Sequence, residues 1–112
     1  MTAGPEAFAV VLVTAGDVES AKRLARTLLE ERLIACANLI GPIQSIYRWQ
    51  DAVETAAEHL LLLKARRADL PALTARIEDL HPYEVPEVLA LPLVAGASRY
   101  LAWLADATDR KS

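Results

Sequence analysis

Two extended runs set the terms for what this chain can fold into. Residues 35–40 (ACANLI) and 43–49 (IQSIYRW) form the first, joined through Gly41-Pro42, and residues 55–66 (TAAEHLLLLKAR) form the second after the polar stretch 50–54. Strands in small domains usually run about five or six residues. Arms of this length are long for a sheet in a domain of 112 residues. The surplus must pair with something else, most simply another subunit. Gly41-Pro42 marks a bulge or bend, because proline donates nothing to a ladder and glycine weakens one.

The flanking segments place the arms in an α+β fold. Residues 7–14 (AFAVVLVT) read as a strand buried on both faces. Ala15-Gly16-Asp17 breaks it, with Asp17 as N-cap. Val18, Ala21, Leu24, Ala25, Leu28 and Leu29 then follow helical spacing, predicting a helix that ends near Arg32. Asp69 is placed to cap a second helix with Pro71 in its first turn, and Leu70, Leu73, Ile77 and Leu80 give it an apolar face. A proline-spaced segment, HPYEVPE (81–87), leads to a short strand over 88–93. Gly96 opens a closing helix with Tyr100, Leu101 and Leu104 on one face. The order βαββαβ plus a C-terminal helix predicts a ferredoxin-like fold, an antiparallel sheet with helices on one face. One domain is expected over 7–107, with flexible tails at 1–6 and 108–112.

Composition narrows the classes of function. Hydrophobic residues make up 54% of the chain, more than so small a monomer hides easily. Burial between subunits is the simplest outlet. No apolar run approaches the roughly 18 residues a spanning helix needs, which argues against a membrane. Residues 8–13 are apolar and early, but no Lys or Arg precedes them, so they read as a strand of a cytoplasmic protein and not as a signal peptide. A net charge of −3 argues against nucleic acid. The single cysteine excludes an internal disulfide and a zinc site of several thiolates.

No residues assemble a catalytic pattern. Cys36, between Ala35 and Ala37, reads as a small strand hydrophobe before it reads as a nucleophile. Ser20, Ser45 and Ser98 lie in no nucleophile elbow, and neither Gly16 nor Gly41 belongs to a phosphate-binding loop. No catalytic residue and no required cofactor is expected. His81 is the more informative histidine: it precedes Pro82, which holds it extended, and Tyr83, Glu84 and Glu87 lie within six residues. Imidazole with carboxylates suits a divalent ion such as copper or zinc. A rigid connector with solvated Glu84 and Glu87 fits the same spacing, and His59 is the next histidine to consider. Tyr47 and Trp49 alternate on one face of the first arm and suit a subunit contact or a pocket. Tyr100 and Trp103 sit three apart, as in helix packing.

Taken together, ACANLIGPIQSIYRW, LLLLKAR, LHPYEVPEVLALPL and YLAWL closely resemble the CutA divalent-cation-tolerance family over about residues 10–104. SIYRW at 45–49 and HPYEVPE at 81–87 are the most specific pieces. The resemblance implies a ferredoxin-like subunit in a tight homotrimer similar to the PII signalling regulators, tolerance to divalent metals with copper foremost, and no enzymatic activity. A bound metal ion is expected to take its ligands from His81 with Glu84 or Glu87, completed by a neighbouring subunit or water, and Tyr47, Trp49 and Tyr83 are expected at an intersubunit pocket or interface. The chain departs from the family pattern in three places. Gln50-Asp51-Ala52 replaces a Glu-Gly-Lys-like turn, and Val13 and Leu80 stand where relatives with a copper site carry cysteine and histidine. The second reading is a PII-like regulator whose clefts bind a small anionic metabolite or a partner protein.

Overall fold

The computed structural model describes residues 3–110. A 3-10 turn at Pro5–Ala7 leads into β1 (Phe8–Ala15), followed by α1 (Val18–Glu30), β2 (Cys36–Trp49), β3 (Ala52–Arg66), a 3-10 turn at Arg67–Asp69, α2 (Leu70–Leu80), β4 (Leu89–Pro92) and α3 (Ser98–Ala107). The four strands form one sheet in the order β2-β3-β1-β4, antiparallel at every pairing. The architecture is α+β, with three α-helices.

Alternation along the strands sorts the sheet into two faces. Val11 and Val13 of β1 and Leu61 and Leu63 of β3 are buried to within 1%. They pack under Ala21, Leu24, Ala25 and Leu28 of α1 and Leu73 and Ile77 of α2. The helical spacings read from the sequence thus become the buried faces of α1 and α2, except at Leu29 and Leu80, which are exposed at the helix ends. A smaller cluster joins Phe8 and Ala35 to Leu101 and Leu104 of α3.

The ends of α1 are set by local chemistry. Asp17 caps it as expected, accepting from the Ser20 N–H at 2.8 Å. The helix stops at Glu30, two residues before the expected end, because Arg32 takes a left-handed φ of 58°. The Leu33 N–H then reaches back to the Leu28 carbonyl and Arg32 N–H to that of Leu29, the Schellman closure. At α2 the expectation fails. Asp69 makes no side-chain cap; its carboxylate instead accepts two hydrogen bonds from Arg110, at 2.8 and 2.9 Å. A guanidinium fork offers a carboxylate more than one backbone N–H does.

The expected bulge is present: the β2–β3 register shifts between Ile40 and Ile43. The expected polar turn at 50–54 is tighter than predicted, and β3 starts at Ala52. Gln50 and Asp51 both have positive φ, 48° and 67°, which closes a two-residue hairpin directly after the Trp49–Ala52 pair. The last partner of β1 on β3 is His59, opposite Ala15. Beyond it, from the Ile43–Glu58 pair outward, β2 and β3 continue as a two-stranded ribbon with no third strand. This ribbon helps stretch the molecule to 50 × 29 × 22 Å. The last strand is shorter than the 88–93 expected, four residues at Leu89–Pro92. Of the expected tails, Met1, Thr2, Lys111 and Ser112 lie outside the described residues. Thr108 is 2% exposed, and its hydroxyl accepts from Arg66 Nε at 2.8 Å.

Candidate functional site

The ribbon, from Ser45 and Glu58 near its base to Trp49 at its tip, and the segment that leaves α2 line a cleft of about 600 Å³. On β2, Ser45, Tyr47 and Trp49 line it at alternate positions, with Ile46 beside them. Thr14 at the end of β1, Glu58 on β3, and Tyr83, Glu84, Val85 and Glu87 supply the other walls. Five of the residues singled out in the sequence, Tyr47, Trp49, Tyr83, Glu84 and Glu87, therefore meet in one place. The sixth, His81, does not line the cleft.

His81 is 7% exposed. It follows the last residue of α2 in an extended conformation, as its position before Pro82 requires (φ −75°, ψ 137°). Its Nδ1 accepts the Tyr83 N–H at 3.0 Å, which leaves Nε2 to donate to the Thr14 carbonyl at 2.7 Å. Both nitrogens are committed, and neither offers a lone pair to a metal. In this arrangement the ring pins the segment after α2 to the end of β1.

Pinned in this way, Tyr83 points its hydroxyl at Glu58 and donates to Oε2 at 2.8 Å. Burial first, and then the Glu58 carboxylate, push the Tyr83 phenol well above its usual range, so it stays a donor. Gly16 makes room for it, since a Cβ there would lie 3.1 Å from the Tyr83 oxygen. Glu58 is itself only 7% exposed. The sequence reading missed it, as it missed Thr14. The available signal was a carboxylate at the border between the polar ribbon and the aliphatic run 60–63, where the bulge across the sheet shifts the register.

The other candidates lie elsewhere. Val13 is fully buried in the core under the helices, and Leu80 lies at the exposed end of α2. His59 packs against Gly41 in the bulge, and its Nδ1 is buried without a hydrogen-bond partner. Cys36 is only partly buried, contrary to the strand-hydrophobe reading. The strand register sets it opposite Lys64, whose Nζ donates to its Sγ at 3.6 Å. Tyr100 and Trp103 are 44% and 45% exposed with ring centroids 5.5 Å apart in a tilted pair, and the Tyr100 hydroxyl also interacts with Cys36 on β2. Among the described residues no group of three His, Cys, Asp or Glu side chains gathers closely enough to hold a metal ion. Among the described residues no helix is long and apolar enough to cross a membrane.

Comparison with known proteins gives a consistent result. Residues 9–107 match the family model of the CutA1 divalent ion tolerance protein. The chain is 46% identical over 99 residues to a chloroplastic rice protein named CutA 1, covering 88% of this chain and 56% of the relative. It is equally identical over 99 residues to the divalent-cation tolerance protein CutA of Thermus thermophilus, covering 88% of this chain and 96% of that one. The crystal structure of CutA1 from rice superposes with a TM-score of 0.90 at 43% identity, covering 94% of this chain and 96% of that one. The chain thus spans little more than half of the plant relative and nearly all of the bacterial one.

Proposed function

The chain belongs to the CutA1 divalent ion tolerance protein family, and from that premise we propose that it is a non-enzymatic homotrimer acting in the response to divalent cations. In this reading the subunit is ferredoxin-like, the trimer is PII-like, and the site of action is the cytoplasm. The observation that carries it is the ribbon of β2 and β3, which runs on from the Ile43–Glu58 pair with no third strand beside it among the described residues. A two-stranded ribbon is at best marginal in water alone, and pairing with neighbouring subunits both supports it and closes the cleft.

Copper or zinc is the cargo in this reading. His81 is unavailable, so the chain offers the exposed carboxylates of Glu84 and Glu87, completed by water or a neighbouring subunit. Carboxylates suit the divalent ion, whereas monovalent copper favours a thiolate, and Val13 supplies none. Weak binding follows from so few ligands. An anionic metabolite fits this cleft poorly, because three glutamates and no lysine or arginine line it.

Light scattering coupled to size exclusion should report a trimer, and calorimetry should show weak copper binding that Glu84→Gln and Glu87→Gln abolish. A monomer at micromolar concentration removes the assembly. Copper binding unchanged in both variants removes the site.

A further inference from the structure

The same cleft has a second character that a bare metal ion does not use. Its walls include three aromatic rings, Tyr47, Trp49 and Tyr83, and its carboxylates are dispersed around them. About 600 Å³ is large for an ion, and among the described residues no set of three ligands converges to grip one. Scattered negative charge over aromatic walls suits a bulkier cation, whose charge is spread over alkyl groups that rest against ring faces.

Glu58 points the same way. It is 93% buried by its 7% exposure, and the donor that reaches it is the neutral Tyr83 phenol. The ion pairs among the described residues, Arg76–Glu31, Arg76–Asp79 and Arg110–Asp69, do not include it. A carboxylate taken out of water with no cation beside it is costly, and a cation entering the cleft relieves that cost. Tyr47 and Trp49, 44% and 42% exposed, leave ring surface free to meet it.

We propose that the cleft binds an organic ammonium ion, its charged head beside the Glu58 carboxylate and its alkyl groups against Tyr47, Trp49 and Tyr83. The inference goes beyond the divalent-ion reading and does not depend on it, since that reading uses Glu84 and Glu87.

Tetramethylammonium chloride is the probe, titrated into the full chain carrying Trp103→Phe, so that Trp49 is the one remaining indole reporting by fluorescence. Sodium chloride at matched ionic strength and tert-butanol, a neutral compound of similar shape, are the controls. A saturable change is expected with half-saturation of about 1 mM, absent with both controls. Glu58→Gln and Tyr47→Leu should each weaken it about tenfold, and Glu30→Gln, exposed on α1 and outside the cleft, should leave it within about twofold. A response matching that of sodium or tert-butanol overturns the proposal, as do Tyr47→Leu and Glu58→Gln proteins that titrate like the parent. Tyr47 is exposed enough that its variant decides the question should Glu58→Gln fail to fold. A parent protein that binds the ammonium ion but no copper sinks the metal site alone, and one that binds copper but no ammonium ion sinks this one alone.

Discussion

At His81 the two ring nitrogens meet an N–H on one side and a carbonyl on the other, and that arrangement fixes a single neutral tautomer. The sequence told only that a histidine before proline stands beside three potential partners. Which nitrogen meets what depends on β1 and the end of α2 arriving together, across 67 residues of chain. His81→Ala strands the Tyr83 N–H and the buried Thr14 carbonyl, so a loss of about 1–3 kcal/mol is expected in chemical denaturation. Tyr83 and its bond to Glu58 should loosen with it, seen as altered tyrosine absorbance. Asp17 is the opposite case, legible from sequence because a cap needs only its own turn. The Ser20 backbone and side-chain hydrogen bonds hold its carboxyl below the ordinary 3.8. A depressed folded-state pKa stabilises above the unfolded value and is lost as pH falls through the folded one. Asp17→Ala should therefore lower Tm at neutral pH, and the gap to the parent should narrow once pH drops below about 4. A gap of constant size across that range would assign the effect to something other than the charged cap.

Among the elements, the ribbon of β2 and β3 shows where sequence patterning suffices and where it stops. The bulge at Gly41-Pro42 was readable, because neither residue suits a ladder wherever the strand goes. The place of the turn was readable too, but its tightness was not, because Gln50-Asp51 lacks the Asn-Gly or Asp-Gly signature of a two-residue hairpin. Pairing along the rest of the ribbon holds both residues at positive φ despite their side chains. Such strain is removable. Replacing the pair by Asn-Gly, as Gln50→Asn with Asp51→Gly, should raise stability by about 0.5–1 kcal/mol in urea unfolding. An unchanged or lower midpoint would mean that the Gln50 or Asp51 side chain makes a contact worth more than the strain. Ile46→Pro should act in the other direction. Ile46 is paired with Thr55 in the middle of the ribbon, and proline there removes a donor. Assembly and folding should be lost together if the ribbon's burial is shared between subunits.

For the whole molecule, α1 and α2 cover one face of the sheet and leave most of the other open. Strand register places Leu89, Leu12 and Leu62 side by side across that open face, with Leu91 and Val10 in the next row. Leu89 and Leu91 are 57% and 49% exposed, and Ile40 is 46% exposed. A contiguous apolar surface of this kind is rare on a protein that stays monomeric. It also explains where the 54% hydrophobic content goes once the core under the helices is full. The trimer proposal therefore rests on two separable surfaces, the ribbon and the open face. Lysine at both Leu89 and Leu91 tests the second. In an isolated subunit the two substitutions fall on exposed positions and should cost little, usually within about 0.5 kcal/mol. In an assembly that buries this face they introduce charges without partners, and light scattering should find smaller species with a lower Tm. Lys22→Glu, on the exposed side of α1, is the control and should leave the assembly intact. If the doubly substituted protein stays trimeric with an unchanged Tm, the open face is not an interface, and the ribbon alone must hold the subunits together.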